Sequence, residues 1–229
     1  VVFAASLFAT RVAPVHAIDF SVNSRLGYLG QQIIPTGTTF NGTTVGGLSS
    51  LDYNHGTGRY LAISDDRSNI NPARFYELSL DLEKFRRSSA PGQDGVSFNT
   101  VTTIQKAGGG AFAANTVDPE GLRFDPARNK IYWSNEGQRS GAGFQNPTVR
   151  EMNMDGSQVR DFAVPHRYHP SGSAAGLAAG DKGVHNNLGF ENLAISKDGN
   201  TLYTATENGL TQDSLPASIS SGSRSRILS

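Results

Sequence analysis

Carboxylates recur in this chain at a fixed interval. Asp65, Glu136 and Glu207 stand 71 residues apart, and each closes a short apolar run. The runs are Tyr60-Leu61-Ala62-Ile63, Ile131-Tyr132-Trp133 and Leu202-Tyr203-Thr204-Ala205. Glu120 and Glu191 repeat with the same spacing just ahead of Leu122 and Leu193, while the first unit has Ser49 at that place. Asp118 and Asp66 add to the set, and the cations near it are few: Arg67, Arg139 and His185. Crowded carboxylates have two chemical uses. They can share a hard cation, since Ca²⁺ takes about six to eight oxygen ligands. Alternatively, burial and mutual repulsion split their pKa values into a general acid and a general base. A third outcome is structural, with Glu120 and Glu191 accepting backbone N–H groups and locking neighbouring units together.

The elements that carry these residues can be read from the same repeat. Leu51 to Asp65, Leu122 to Glu136 and Leu193 to Glu207 align without a gap. Each begins with Leu, passes through a polar turn (His55-Gly56-Thr57-Gly58, Pro126-Ala127-Arg128-Asn129, Lys197-Asp198-Gly199-Asn200) and returns through the apolar run. Short bulky runs around a Gly/Asn/Asp turn predict a β-hairpin. More strand text follows: 73–78 and 96–101 after the first hairpin, 148–153 and 158–164 after the second. No long segment carries a capped 3.6-residue period, so no major helix is expected. The expected fold is all-β and β-propeller-like, with four-stranded antiparallel blades repeating about every 71 residues. In a hairpin the start of strand one lies beside the end of strand two. Glu120 is therefore expected near Glu136, and Glu191 near Glu207, with all such ends converging on one rim. Propellers need about four to eight blades. The third unit stops inside its third strand, at Arg226-Ile227-Leu228-Ser229, so the reading is a piece of a longer propeller. Residues 26–34 read as a strand that would complete the last blade of a closed ring.

Composition narrows the partners. Lys plus Arg and Asp plus Glu number 20 each, which argues against a broad nucleic-acid or anionic-membrane surface. The chain has no Cys, so disulfides, thiolate zinc sites and Cys nucleophiles are excluded. No stretch has the roughly eighteen apolar residues of an integral membrane span. Residues 1–17 read as a signal-peptide remnant. An apolar core, Val1 to Ala9, precedes Val15-His16-Ala17, a small-residue site with cleavage after Ala17. The expectation is a periplasmic or secreted protein with a mature domain over 18–229.

Most familiar catalytic motifs are missing. There is no G-x-S-x-G elbow, H-E-x-x-H helix or Walker loop. Asp198-Gly199-Asn200 resembles calcium-loop text but sits at a hairpin turn. His166 and His169 are a loop pair without further ligands, and Asn41-Gly42-Thr43 is a sequon.

The ordered motifs resemble one family. They are Gly46-Gly47-Leu48-Ser49-Ser50-Leu51-Asp52-Tyr53, Ala62-Ile63-Ser64-Asp65-Asp66-Arg67, Pro72-Ala73-Arg74-Phe75-Tyr76, Asp118-Pro119-Glu120-Gly121-Leu122, Trp133-Ser134-Asn135-Glu136 and Asn187-Leu188-Gly189-Phe190-Glu191-Asn192-Leu193-Ala194. From about Gly46 to Ser229 the chain resembles the phytase-like domain called "esterase-like activity of phytase". Asn192 stands where that pattern has Gly. The resemblance implies an exported bacterial protein with a phosphoesterase-type activity on a small phosphorylated substrate, and calcium on an acidic rim. With it, Asp65, Asp118, Glu136 and Glu207 are the expected metal ligands. Glu120 and Glu191 are the acid/base pair, and Arg67 and His185 the substrate contacts. The alternative is a non-catalytic exported propeller that binds a ligand or protein on its rim.

Overall fold

A computed structural model of the protein describes residues 2–6, in backbone course only, and 27–229. The Ala17 cleavage site lies outside the described residues. β1 (Val2–Ser6) pairs antiparallel with β2 (Tyr28–Ile33), the strand expected over 26–34. β3 (Thr39–Phe40) and β4 (Thr43–Thr44) form a small hairpin. Its turn is Asn41-Gly42, with φ of 46° and 77°, the positive pair that a type I′ turn requires. The residues read as a sequon therefore make a turn.

Two four-stranded antiparallel sheets follow. The first orders β5 (Leu48–Asn54), β6 (Arg59–Ser64), β7 (Arg74–Leu80) and β8 (Val96–Thr103) consecutively. The second orders β9 (Pro119–Asp125), β10 (Lys130–Asn135), β13 (Thr148–Asn153) and β14 (Gln158–Phe162). Between its second and third strands a hairpin of β11 (Gln138–Ser140) and β12 (Gly143–Gln145) is inserted. A three-stranded sheet of β15 (Ala194–Ile195), β16 (Leu202–Ala205) and β17 (Ile227–Leu228) ends the chain. The helical residues described are two short 3₁₀ turns, Leu82–Lys84 and His166–Tyr168. The fold is all-β, built from several antiparallel sheets.

The three hairpins share one register. Asp52 faces Leu61, Arg123 faces Tyr132 and Ala194 faces Tyr203. The turns are alike as well. Asn54 Oδ1 accepts from the Gly56 N–H at 2.9 Å, Asp125 Oδ1 from Ala127 at 2.9 Å, and Ser196 Oγ from Thr201 at 3.0 Å. Such short polar side chains cap turns by mimicking backbone acceptors.

The sheets pack face to face, which explains the apolar run in the second strand of the first two hairpins. Leu61 and Ile63 point into one core with Leu122, Phe124, Ile131 and Trp133. Ala62, on the opposite face, packs with Tyr76, Leu78, Ile34 and Val45. Tyr132 turns from its neighbours towards Val184, Phe190, Leu193 and Leu210. Successive strand residues point to opposite faces, so a strand covered on both sides needs an unbroken apolar run. Between sheets, Asp52 Oδ2 accepts the Phe124 N–H at 2.7 Å, and Arg128 donates to the Gly199 carbonyl at 2.8 Å.

Candidate functional site

A shared irregularity in the hairpins builds the site. At their open ends Leu48 faces Ser64, Pro119 faces Asn135 and Phe190 faces Thr206. Between those pairs and the regular register, the first strand carries one more residue than its partner. The bulges hold Ser49-Ser50, Glu120-Gly121 and Glu191-Asn192. A bulge breaks strict alternation and re-aims a side chain. Here it turns Glu120 and Glu191 towards the open end. Asn192 does this without positive φ, which is confined elsewhere in the chain. The closing carboxylates are fastened by their backbones. Asp65 N–H donates to the Gly47 carbonyl at 2.7 Å, Glu136 to Asp118 at 2.9 Å and Glu207 to Gly189 at 2.9 Å.

These ends meet in an open cleft of about 650 Å³ between the first and second sheets. Asp65, Asp66, Arg67, Asp118, Glu120 and Glu191 line it, together with Ser49, Asn115 and Asn187. Ligand-capable oxygens of Asp118, Glu120 and Glu136 lie within 4.8 Å of one another, and so do those of Glu136, Glu191 and Glu207. Glu136 belongs to both groups. Asp65 stays on the cleft wall outside them. Its residue is open to solvent, but its carboxylate is tucked against Gly47, where an added Cβ would lie 1.6 Å from Oδ1.

Burial and like charge push these acids in one direction. Glu120 is raised to about 8, first by burial and then by the charges of Glu191 and Asp118. Glu136, which is 1% exposed, is raised by burial and by the Asp118 carboxylate against it. Glu191 is raised by burial and the charge of Glu207, and Asp65 by burial and Asp118. Among the described residues, Arg67 is the cation that answers them. Arg67 Nη2 touches Asp118 Oδ2, approaches Glu136 Oε2 at 3.6 Å and donates to Asn187 Oδ1 at 2.8 Å. Asp118 Oδ2 is nevertheless buried without hydrogen-bond geometry to any partner. The Arg67 contact is an ion pair only.

Other expected residues are elsewhere or differently engaged. His185 is buried, and its Nε2 donates to the Ser214 carbonyl at 3.1 Å; it does not line the cleft. Arg139 is also buried and donates to the carbonyls of Ser171, Ser173, Lys182 and Val184, clamping the Gly-rich segment. Asp66 accepts the N–H groups of Asn69, Ile70 and Asn71 and pairs with buried Arg74 at 2.7 Å. Burial works against its charge, but these bonds outweigh it and hold its pKa below the ordinary value. Among the described residues, no backbone N–H group holds Glu120 or Glu191 as a blade joint. Ser49 lies beside Glu120, and Glu136 and Glu207 lie beside Glu191. The joint is made by Glu136, whose Oε1 accepts the Gly189 N–H at 3.1 Å. Asn187 was not among the expected site residues. Its signal was its place at the head of the motif that contains Glu191.

The oxygen-only donor set fits a hard divalent cation, and the buried, unbonded Asp118 Oδ2 is an acceptor that such an ion satisfies. No helix among the described residues is long and apolar enough to cross a membrane. The architecture is thus that of an all-β protein with a carboxylate-lined cleft at the open ends of repeated hairpins. A family model described as "Phytase-like: Esterase-like activity of phytase" matches residues 43–229, and the chain belongs to that family. No curated protein matches the chain significantly.

Proposed function

We propose that the protein is an exported, calcium-assisted phosphoester hydrolase whose hairpin units are four-stranded blades of a propeller. The blade reading is supported by the common register at 71-residue intervals and by the order of the first two sheets. The phosphate-ester class is supported by the family. One observation carries the reading. Carboxylates from three units, Asp65, Glu120 and Glu191 among them, line one cleft, and one acceptor, Asp118 Oδ2, is buried without a hydrogen bond.

In this reading Asp118, Glu136 and Glu207 hold calcium, with Asp65 on the adjoining wall. Calcium held by these residues would shield phosphate charge and would make a water more acidic. Glu120, whose pKa is raised in the metal-free protein, is the acid that gives a proton to the leaving oxygen. Glu191, less buried and open to the cleft, accepts a proton from the attacking water. Arg67 contacts the phosphate with its free guanidinium edge.

The test is hydrolysis of phytate and of simple phosphomonoesters and phosphodiesters, with Ca²⁺ and with chelator. Activity that needs calcium, and a melting temperature raised by calcium through mass action, are the expected results. Glu136→Gln combined with Glu207→Gln should abolish the thermal shift. A wild type that shows neither activity nor a shift overturns the reading. A second reading, a rim that binds a ligand without catalysis, is favoured by the Glu136–Gly189 bond, which makes one acid structural. It predicts calcium-dependent stability without turnover. Export is tested separately: N-terminal sequencing of secreted protein should begin after Ala17, and a mature form that retains Phe3 to Phe8 sinks it.

A further inference from the structure

We infer that Arg67 is an internal cation that occupies the Asp118–Glu136 pair until a divalent metal displaces it, and that its released guanidinium then binds the anionic ligand. This rests on the metal-site reading above, and it adds an order to it: metal first, anion second.

The two arginines beside the cleft differ in how they are held. Arg74 is buried with every nitrogen engaged. Its Nε donates to the Tyr76 hydroxyl at 2.7 Å, Nη1 to Asp66 at 2.7 Å and Nη2 to the Thr44 carbonyl at 2.7 Å. Arg67 is held through one nitrogen. Its contacts with Asp118, Glu136 and Asn187 all leave from Nη2. No hydrogen bond runs from its Nε or Nη1 to another described residue, and its side chain is 29% exposed on the cleft wall. Its backbone is fixed, because its carbonyl accepts the Asn115 N–H at 2.7 Å and Ser68 beside it has φ 58°. The side chain can therefore move without the loop.

Nη2 donates a hydrogen bond to Asn187 alone, and neither carboxylate beside it, Asp118 Oδ2 in contact or Glu136 Oε2 at 3.6 Å, is hydrogen-bonded by it. A guanidinium here is a stand-in for a cation with no preferred bond direction. A divalent ion suits these oxygens better, but it cannot share them with Arg67 at contact distance, because the two positive charges repel. Metal entry thus expels Nη2. The expelled fork, with five donors and none of them committed, matches a phosphate oxygen pair. Competition for one carboxylate pair is reciprocal. Whatever loosens Arg67 from Asp118 should tighten metal binding or free Arg67 for anions.

Calorimetric titration with CaCl₂ and, separately, with orthophosphate in chelator tests this on wild type, Arg67→Gln, Asp118→Asn and the double variant. Arg67→Gln is expected to bind calcium about tenfold more tightly than wild type. Without calcium, Asp118→Asn should bind orthophosphate about tenfold more tightly, and the double variant should lose that gain. Exposed Asn187→Ala is a milder second variant, expected to shift calcium affinity the same way by a few fold. Calcium affinity that is unchanged or weaker in both Arg67→Gln and Asn187→Ala overturns the inference. So does an orthophosphate gain that survives in the double variant. Calcium exchange as expected but no turnover of phosphate esters overturns the hydrolase reading alone.

Discussion

Asp125 and Glu136 sit at opposite ends of one hairpin. They are 2% and 1% exposed, yet their carboxylates are driven in opposite directions. At the turn, Asp125 accepts the N–H groups of Ala127 and Arg128 at 2.9 and 3.2 Å and pairs with the Arg128 guanidinium at 2.7 Å. Burial works against its charge, but these donors win and its pKa falls. At the open end, Glu136 has one backbone donor, Gly189, and its other near neighbours are mostly acids. There burial wins and its pKa rises. Equal solvent exposure therefore does not decide the state of a carboxylate; how deeply it is set in protein and the supply of donors do. A turn supplies donors from its own next residues. The open end meets the ends of other units, and each brings another acid.

The largest expected difference between the two ends is chemical. Glu136→Ala should lower calcium-dependent phosphoester hydrolysis by about 100-fold or more, while Asp125→Asn should leave turnover near wild type. Equal losses in a steady-state assay would erase the distinction. Stability should also divide along this line. A Cβ on Gly189 would lie 2.1 Å from the Glu136 carbonyl oxygen, which is backbone and cannot yield. Gly189→Ala should therefore cost about 2–3 kcal/mol in chemical denaturation. At the turn, a Cβ on Gly199 would meet the flexible Arg128 Nη1 at 2.8 Å, with φ +69°. Gly199→Ala should cost about 1–2 kcal/mol, the ordinary penalty of a left-handed conformation.

The two ends should titrate with opposite slopes. The Glu120 pKa is raised from 4.5 to about 8, so the folded state holds a proton that the unfolded chain has released. Its contribution is fully present below pH 4.5 and is lost as pH rises to about 8. In chelator, the melting temperature should fall across that window by the equivalent of about 1–2 kcal/mol after solvent screening. Glu120→Gln should flatten the profile, and calcium should restore stability at the alkaline side. The Asp125 pKa is lowered, so its contribution is present above 3.8 and is lost as pH falls through the folded value. A wild type whose melting temperature rises between pH 5 and 8 without metal would contradict the open-end assignment. The smallest effect belongs to the joint beside the turns. Asp52→Ala leaves the Phe124 N–H, bound at 2.7 Å, without its acceptor and should cost about 1 kcal/mol by denaturant titration.

The hairpins were legible because their information is local. Apolar runs, turn residues and the 71-residue spacing named the strands that pair as Asp52–Leu61, Arg123–Tyr132 and Ala194–Tyr203. The closing carboxylates and Glu120 and Glu191 were legible for the same reason, being fixed in register with those strands. The hairpin at Asn41-Gly42 was missed although its turn text is plain, because two-residue strands leave no alternation to read. His185 was misjudged as a rim cation. Its distance from Glu191 along the chain is short, but the loop clamped by Arg139 carries it to Ser214. Nothing adjacent to Arg139 reveals that its partners are carbonyls more than thirty residues away.

The sequence by itself determined an all-β chain, its repeated hairpins and the acids placed at their ends, because strand period, turn chemistry and spacing act over a few residues. Only the tertiary structure decided which of those acids lack donors. Asp66 is satisfied by its own loop and Arg74, while Asp118 Oδ2 is left in contact with Arg67 without a hydrogen bond. Both are aspartates beside an arginine, and their residue types cannot separate them. The difference arises when sheets pack face to face and bring together oxygens that are far apart in the chain. Burial then strengthens every charge that the fold has not paired.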